Sequence, residues 1–273
     1  MGFGPLVDGA WLSANRADVV VVDVRWSVAD GPARAAYDAG HVPGAVFADL
    51  DADLAAPPSP AGGRHPLPSP GRFAAAMGAL GIGDASRVVA YDDVGGIIAA
   101  RLWWMLDVLG RDAAVLDGGI SAWPGVLSAE VVEPVPAVFT PAPWPADRLI
   151  SADELEAAIG TDLVILDGRS TERYAHGASF DPRPGHVPGA RSAPATENLA
   201  DGRWRPVDDL RSHYTALGAD GSGVAAYCGS GVTACADLLG RRRAGLPDGR
   251  LFVGSWSQWG ADPARPITEG VDP

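Results

Sequence analysis

Cysteine is nearly absent from this chain of 273 residues, which has two. Two cysteines cannot form a disulfide scaffold for such a length and fit a reducing compartment, so a cytoplasmic location is expected. Positive charge is scarce as well: 21 basic residues stand against 34 acidic ones, for a formal net charge of −13. That balance argues against nucleic acid and anionic membrane surfaces as partners. It also means that any anionic substrate has to be met by locally placed arginines. Long apolar runs are missing; the longest, Val19 to Val22, reads as a strand and not as a membrane span. The opening Met1-Gly2-Phe3-Gly4-Pro5-Leu6 lacks the basic and apolar regions of a signal peptide. With Leu6 where Ser or Thr is required, myristoylation is not expected either. The histidines and cysteines are scattered without ligand spacing, so no metal is expected. No Walker or dinucleotide-type glycine pattern follows a strand, and no dissociable cofactor is expected. Apolar residues, in contrast, make up 47% of the chain, enough for the cores of two ordinary domains.

The chain is one unit written twice. Asp18-Val19-Val20-Val21-Val22-Asp23-Val24-Arg25 is echoed by Asp162-Leu163-Val164-Ile165-Leu166-Asp167-Gly168-Arg169. His41-Val42-Pro43-Gly44-Ala45 is echoed by His186-Val187-Pro188-Gly189-Ala190, and Arg87-Val88-Val89-Ala90-Tyr91 by Gly223-Val224-Ala225-Ala226-Tyr227. Leu116-Asp117-Gly118-Gly119-Ile120-Ser121-Ala122-Trp123 returns as Phe252-Val253-Gly254-Ser255-Trp256-Ser257-Gln258-Trp259. Four matches in one order mark a duplicated domain, not a short-period solenoid. Each copy alternates short apolar runs with helical patterns. Strands are expected at 19–23, 45–47, 87–91 and 113–117, then at 163–167, 190–192, 223–227 and 250–253. Helices are expected at 71–80, 97–109, 151–159, 207–217 and 231–243, with Ser151 and Glu154 forming a capping box. This alternation implies an α/β fold in which each copy is a mostly parallel sheet covered on both faces. Ligands bind such sheets outside the carboxyl ends of the strands.

Two stretches break the pattern. From Pro124 to Pro145 there are six prolines, read as a stiff, extended connector. Pro57 to Gly71 is too long and irregular for a plain turn, and long loops in compact domains are often functional; it contains Arg64-His65-Pro66-Leu67-Pro68.

The chemistry centres on Val224 to Cys235. A buried strand ends on Cys228; Gly229 and Gly231 let the backbone curl; a helical pattern follows with apolar residues at 232, 235, 238 and 239. A cysteine between a strand end and a helix start faces free backbone N–H groups and the positive end of the helix dipole. Both favour a thiolate, the form that acts as a nucleophile. Cys235, seven positions on and on the apolar face of that helix, reads as a small buried hydrophobe. Two helical positions seven apart are about 10 Å distant, beyond disulfide reach.

Cys228-Gly229-Ser230-Gly231-Val232-Thr233-Ala234 closely resembles the active loop of the rhodanese superfamily, in the form found in 3-mercaptopyruvate sulfurtransferases. Thiosulfate-type members carry two basic residues where this chain has Gly229 and Ser230. The resemblance implies tandem rhodanese-like domains: an inactive one at 1–125, a Pro-rich linker at 126–146 and a catalytic one at 147–273. It implies Cys228 as the sulfur-carrying nucleophile, with Gly229, Ser230, Gly231, Val232 and Thr233 as the loop around it. Arg173, in Glu172-Arg173-Tyr174, and Arg183, in Asp181-Pro182-Arg183, match the arginines that bind the substrate carboxylate. The Arg64–Pro68 segment is similar to one in family members. A Ser–His–Asp relay has been discussed for the family, and Ser230 with His41 would supply its first two parts. The implied partners are a small anionic sulfur donor and a thiol acceptor such as a thioredoxin-like protein, or cyanide.

Comparing the copies sharpens this. Asp92 aligns with Cys228, so the first copy has no thiol to carry sulfur. Arg25 and Arg169 recur in both copies, as does His-Val-Pro-Gly, so these residues read as scaffold. Arg101 with Trp103-Trp104 reads as packing, and the motif from Gly254 to Trp259 as structure near the loop. Three other activities are weighed. A thiosulfate sulfurtransferase is the nearest. A thiolate phosphatase would need an arginine at Ala234. A non-catalytic sulfur carrier or redox sensor would need Cys228 but not Arg173.

Overall fold

The computed structural model describes residues 4–273. Leu6–Val7, Ala113–Leu116, Val88–Tyr91, Val20–Asp23 and Val46–Phe47 form one five-stranded sheet in that spatial order, every pair parallel. Arg250–Leu251, Val224–Tyr227, Val164–Asp167 and Ala190–Ser192 form a second, again all parallel, with Leu149 bridging to Leu251 beyond it. The duplicated α/β architecture expected from the sequence is therefore present. In the second sheet the strands at 164–167 and 224–227 are neighbours whose onward connections leave in opposite directions, so a crevice opens at their carboxyl ends.

Strand and helix positions follow the apolar pattern closely, with Pro70–Ala79, Ala100–Asp107, Ala152–Ala157, Val207–Ala216 and Ala234–Arg243 as the helices foreseen. The last begins three residues later than expected, because 228–233 is a loop. Ser151 and Glu154 do form a capping box. The helices Gly9–Asn15, Arg34–Ala39, Leu50–Asp53 and Thr171–His176 were not foreseen; at four to seven residues they are too short to show periodicity.

The chain divides into two compact units that do not split the sequence cleanly. One holds the residues up to Ala56, Pro68–Trp144 and Asp201–Trp204; the other holds Pro57–Leu67, Pro145–Ala200 and Arg205–Pro273. The proline-rich stretch up to Trp144 is extended, but it is bound to the first unit and is no free spacer. His41 and Ser128 exchange backbone hydrogen bonds, Ala137 N–H donates to Gly78 O at 2.9 Å, and Thr140 N–H and Oγ–H both donate to the Asp84 carboxylate.

Inside each unit the repeated motifs build the same scaffold. Arg25 clasps Asp23 and donates to Gly40 O, as Arg169 clasps Asp167 and donates to Gly185 O. His41 stacks on Tyr37 with ring centroids 4.0 Å apart, and His186 on Tyr174 at 3.7 Å. Each of those tyrosines donates to the alanine carbonyl closing the His-Val-Pro-Gly-Ala turn. Arg101, Trp103 and Trp104 are buried core residues.

Asp92, fully buried at the end of the central strand of the first unit, has no such cation among the described residues. Instead Oδ1 accepts from the N–H groups of Val94 and Gly96, and Oδ2 from those of Ile98 and Ala99, at 2.6–2.9 Å. Burial pushes this carboxyl up and the four amides pull it down. Replacing Asp92 with Ala should leave those buried donors unmatched and destabilise the first unit by about 3 kcal/mol or more, at roughly 1–3 kcal/mol per orphaned group. Urea unfolding of the whole chain measures this; a loss below about 1 kcal/mol would mean that the amides find other acceptors.

Candidate active site

The equivalent place in the second unit is taken by Cys228. Strand 224–227 is buried at all four positions and delivers it to the crevice with 2% of its surface exposed. Gly231 turns the chain with φ of +77°, and a Cβ there would lie 2.4 Å from Val253 O, so no other residue fits. Gly231 N–H then donates to Cys228 Sγ at 3.2 Å. The loop is held from behind by the Phe252–Trp259 segment. Cys228 N–H donates to Ser255 Oγ, while Trp256 N–H and Ser257 N–H donate to the carbonyls of Cys228 and Gly229 at 2.9 Å. Ser255 adopts a left-handed φ of +51°, uncommon for a side-chain-bearing residue, and its hydroxyl donates onward to Phe252 O. The first unit has Gly119 at the equivalent position, with φ of +59°.

Burial pushes the Cys228 thiol up, but the Thr233 hydroxyl and the backbone N–H groups of Ser230, Ala234 and Gly231 pull it down and prevail, leaving it below its ordinary value. A second negative charge nearby would oppose this. Asp237, fully buried one turn along the following helix, is itself pushed well up, first by burial. It keeps hydrogen-bond contact with Asn198, which in turn accepts from Tyr214. Cys235 is fully buried in that helix, and the two cysteines are not bridged.

Segment 57–67, from the first half of the sequence, belongs to the second unit and reaches this loop. Gly63, with φ of +77°, passes so close to the 254–257 turn that a Cβ would lie 2.4 Å from Gly254 O. Arg64 N–H donates to Ser257 Oγ at 3.0 Å, and His65 Nδ1 shares a 2.8 Å hydrogen bond with Ser230 Oγ. The histidine hydrogen-bonded to Ser230 is thus His65. His41 stacks on Tyr37 and bonds Tyr37 O through Nδ1. A sequence signal for this existed: His41 has an echo in His186, whereas His65 has none.

Arg173 stands on the short helix Thr171–His176 with its guanidinium over the loop; a Cβ on Gly229 would lie 2.8 Å from its Nη2. Nε and Nη2 also donate to Asp181, which is 3% exposed. Arg183 is employed differently: Nη2 donates to the carbonyls of Asp262 and Arg265, and its own carbonyl accepts from Trp256 Nε1. A cavity of about 420 Å³ opens beside the loop, with Pro58, Pro60, Arg64, Phe180, Pro182 and Ser257 in its wall. Among the described residues no three His, Cys, Asp or Glu side chains converge as a metal site would require, and no helix is long and apolar enough to cross a membrane. The arrangement offers a stabilised anionic sulfur, a hydroxyl–imidazole pair and guanidinium groups around one small opening.

Comparisons with known proteins agree with this chemistry. The family model for the rhodanese-like domain matches twice, at residues 8–125 and 151–262. A probable 3-mercaptopyruvate sulfurtransferase of Pseudomonas aeruginosa is 42% identical over 269 residues, covering 94% of each chain. A putative thiosulfate sulfurtransferase of Mycobacterium tuberculosis is 36% identical, over 93% of this chain and 92% of the other. Among solved structures, the 3-mercaptopyruvate sulfotransferase of Escherichia coli superposes with a TM-score of 0.83 at 30% identity, covering 93% of this chain and 99% of that one.

The lowered thiol has a direct signature. Alkylation of Cys228 by iodoacetamide should follow a pH profile with its midpoint below the roughly 8.5 of an ordinary thiol. Thr233→Val should move that midpoint upward; a midpoint at or above the ordinary value in the unmodified protein would contradict the amide cradle.

Proposed function

The chain is a two-domain member of the rhodanese family, and from that premise we propose that it moves sulfur from 3-mercaptopyruvate to a thiol or cyanide acceptor through a persulfide on Cys228. The observation carrying this reading is the Cys228–Thr233 loop, where amide and hydroxyl donors offset the burial of an anionic sulfur. The Cys228 thiolate attacks the sulfur of the donor. The new S–S bond forms as the donor's C–S bond breaks, and the electron pair of that bond stays on carbon as the enolate of pyruvate. A proton then converts the enolate to pyruvate, and the Ser230–His65 pair is the group positioned by the loop to supply it. Arg173, from its short helix, meets the donor carboxylate by charge-assisted hydrogen bonds; Arg183, whose Nη2 is held by the carbonyls of Asp262 and Arg265, joins it through its remaining donors. The loop amides next hold the outer sulfur of the persulfide. An acceptor thiol attacks that sulfur and returns Cys228 as thiolate, so the kinetics are ping-pong. Two unbridged cysteines fit a cytoplasmic setting and a thioredoxin-like protein as acceptor.

Donor preference follows from where charge sits. Thiosulfate carries its two negative charges next to the transferred sulfur and suits basic side chains on the loop itself. Gly229 and Ser230 provide none, while Arg173, reaching over Gly229 from another segment, suits a carboxylate. The likeness to a thiosulfate-type relative keeps that donor as the second reading.

Intact mass after incubation with 3-mercaptopyruvate should show the gain of one sulfur, absent in Cys228→Ser. Turnover with 3-mercaptopyruvate should exceed that with thiosulfate at equal concentration; the reverse order would transfer the assignment to the second reading.

A further inference from the structure

Arg173 is an incomplete carboxylate site. Asp181 occupies the Nε and Nη2 edge of its guanidinium at 3.1 and 2.6 Å and offsets much of its charge. Only Nη1 and one remaining Nη2 hydrogen are left to meet a ligand. A second guanidinium lies at the same spot: from the point where Gly229 would carry a Cβ, Arg64 Nη2 is 3.4 Å away and Arg173 Nη2 2.8 Å. Both guanidinium carbons face the ring of Phe180, at 5.8 Å for Arg64 and 4.7 Å for Arg173. Arg64 and Phe180 also form part of the wall of the 420 Å³ cavity.

We propose that Arg64 is a donor-binding residue, which together with Arg173 forms a two-guanidinium clamp over Gly229 that takes the carboxylate of a small 2-oxo-acid thiol. The clamp rests on the sulfurtransferase reading of Cys228 and adds to it a cation from a different segment of the chain. Its placement is built in at the backbone. The N–H of Arg64 is fixed to Ser257 Oγ, and the N–H of Ser257 is fixed to Gly229 O, so one turn registers the arginine against the loop. Gly63 before it has no room for a side chain against that turn, and His65 after it is bonded to Ser230. A guanidinium is suited to the task because its planar donors match a carboxylate in pairs. Glycine at 229 keeps open the space through which both tips reach the ligand.

The test uses the charge of the ligand and not its sulfur. Cys228 in the full-length protein is alkylated in parallel with iodoacetate and with neutral iodoacetamide, and the modification is quantified on the Cys228 peptide. Arg64→Gln should lower the ratio of the iodoacetate to the iodoacetamide rate about fivefold or more, and leave the iodoacetamide rate within about twofold, because one member of a paired anion site is lost. Arg64→Lys, the milder change, should keep the charge and at least half of the ratio. In turnover, Arg64→Gln should raise KM for 3-mercaptopyruvate about tenfold with much less effect on kcat, the pattern of lost ground-state binding. An unchanged ratio in Arg64→Gln overturns the proposal. A parallel fall of both rates also overturns it, since Arg64 would then only support the loop. If the unmodified protein takes no sulfur from 3-mercaptopyruvate while the ratio still falls, the clamp stands and the donor assignment is what fails.

Discussion

A thiol that is 2% exposed can favour its anion only if something other than water stabilises the charge, and the conformation of the Cys228–Thr233 loop supplies donors for that. Each amide aimed at a charged acceptor contributes roughly 1.5–3 kcal/mol, so three amides and a hydroxyl are of the size needed to outweigh the burial of one thiolate. Amides point inward only if the chain curls tightly, and that requires glycine at 231 against the Val253 carbonyl. The curl in turn holds only because the 254–257 turn ties down the carbonyls of Cys228 and Gly229. Ser255 adopts an unfavourable backbone conformation at that turn to offer its hydroxyl to Cys228 N–H. The strain belongs to the copy with the cysteine; the copy without it uses Gly119 and avoids the cost.

The two copies also separate scaffold from site. The Asp–Arg clasp, the tyrosine–histidine stack and the tyrosine-to-alanine hydrogen bond occur in both. None of them can distinguish the unit that carries Cys228 from the one that carries Asp92. Among the differences, those at the candidate site are Cys228 for Asp92, Ser255 for Gly119, the segment carrying Arg173 and Asp181, and the 57–67 segment that joins the second unit from the other half of the sequence. Asp92 keeps the cradle while removing the reactivity. Four amides still converge, but on a carboxylate that has no nucleophilic sulfur to transfer.

Much of this was legible in the residues because apolar runs and glycine positions are local signals. Strand 224–227, the helix after it, the duplicated sheet and the amide-lined cysteine follow from spacing and backbone sterics. The structural role of Arg169 was legible from repetition, since Arg25 does the same in a unit with no thiol. Partnership across the sequence was not legible. The contact between His65 and Ser230 spans 165 positions, and no periodicity encodes a loop that crosses to the other unit. His41, a recurring histidine, packs on its tyrosine and serves the turn. Asp181 lay beside Arg183 in sequence but pairs with Arg173, since the Thr171–His176 helix turns that arginine toward it.

A chain with a net charge of −13 repels small anions at long range, so selectivity for an anionic donor has to be made within a few ångströms of the sulfur. The arginines that recur in the scaffold cannot do this, because Asp23 and Asp167 already neutralise them. Placing a basic residue at 229 would put the charge on the reacting atom's own loop and would favour donors with charge next to the transferred sulfur. Leaving 229 as glycine lets guanidinium groups from two other segments come over it instead, Arg173 Nη2 at 2.8 Å and Arg64 Nη2 at 3.4 Å from where a Cβ would stand. In the proposed reading the loop activates the sulfur, while those arginines select the donor by its carboxylate.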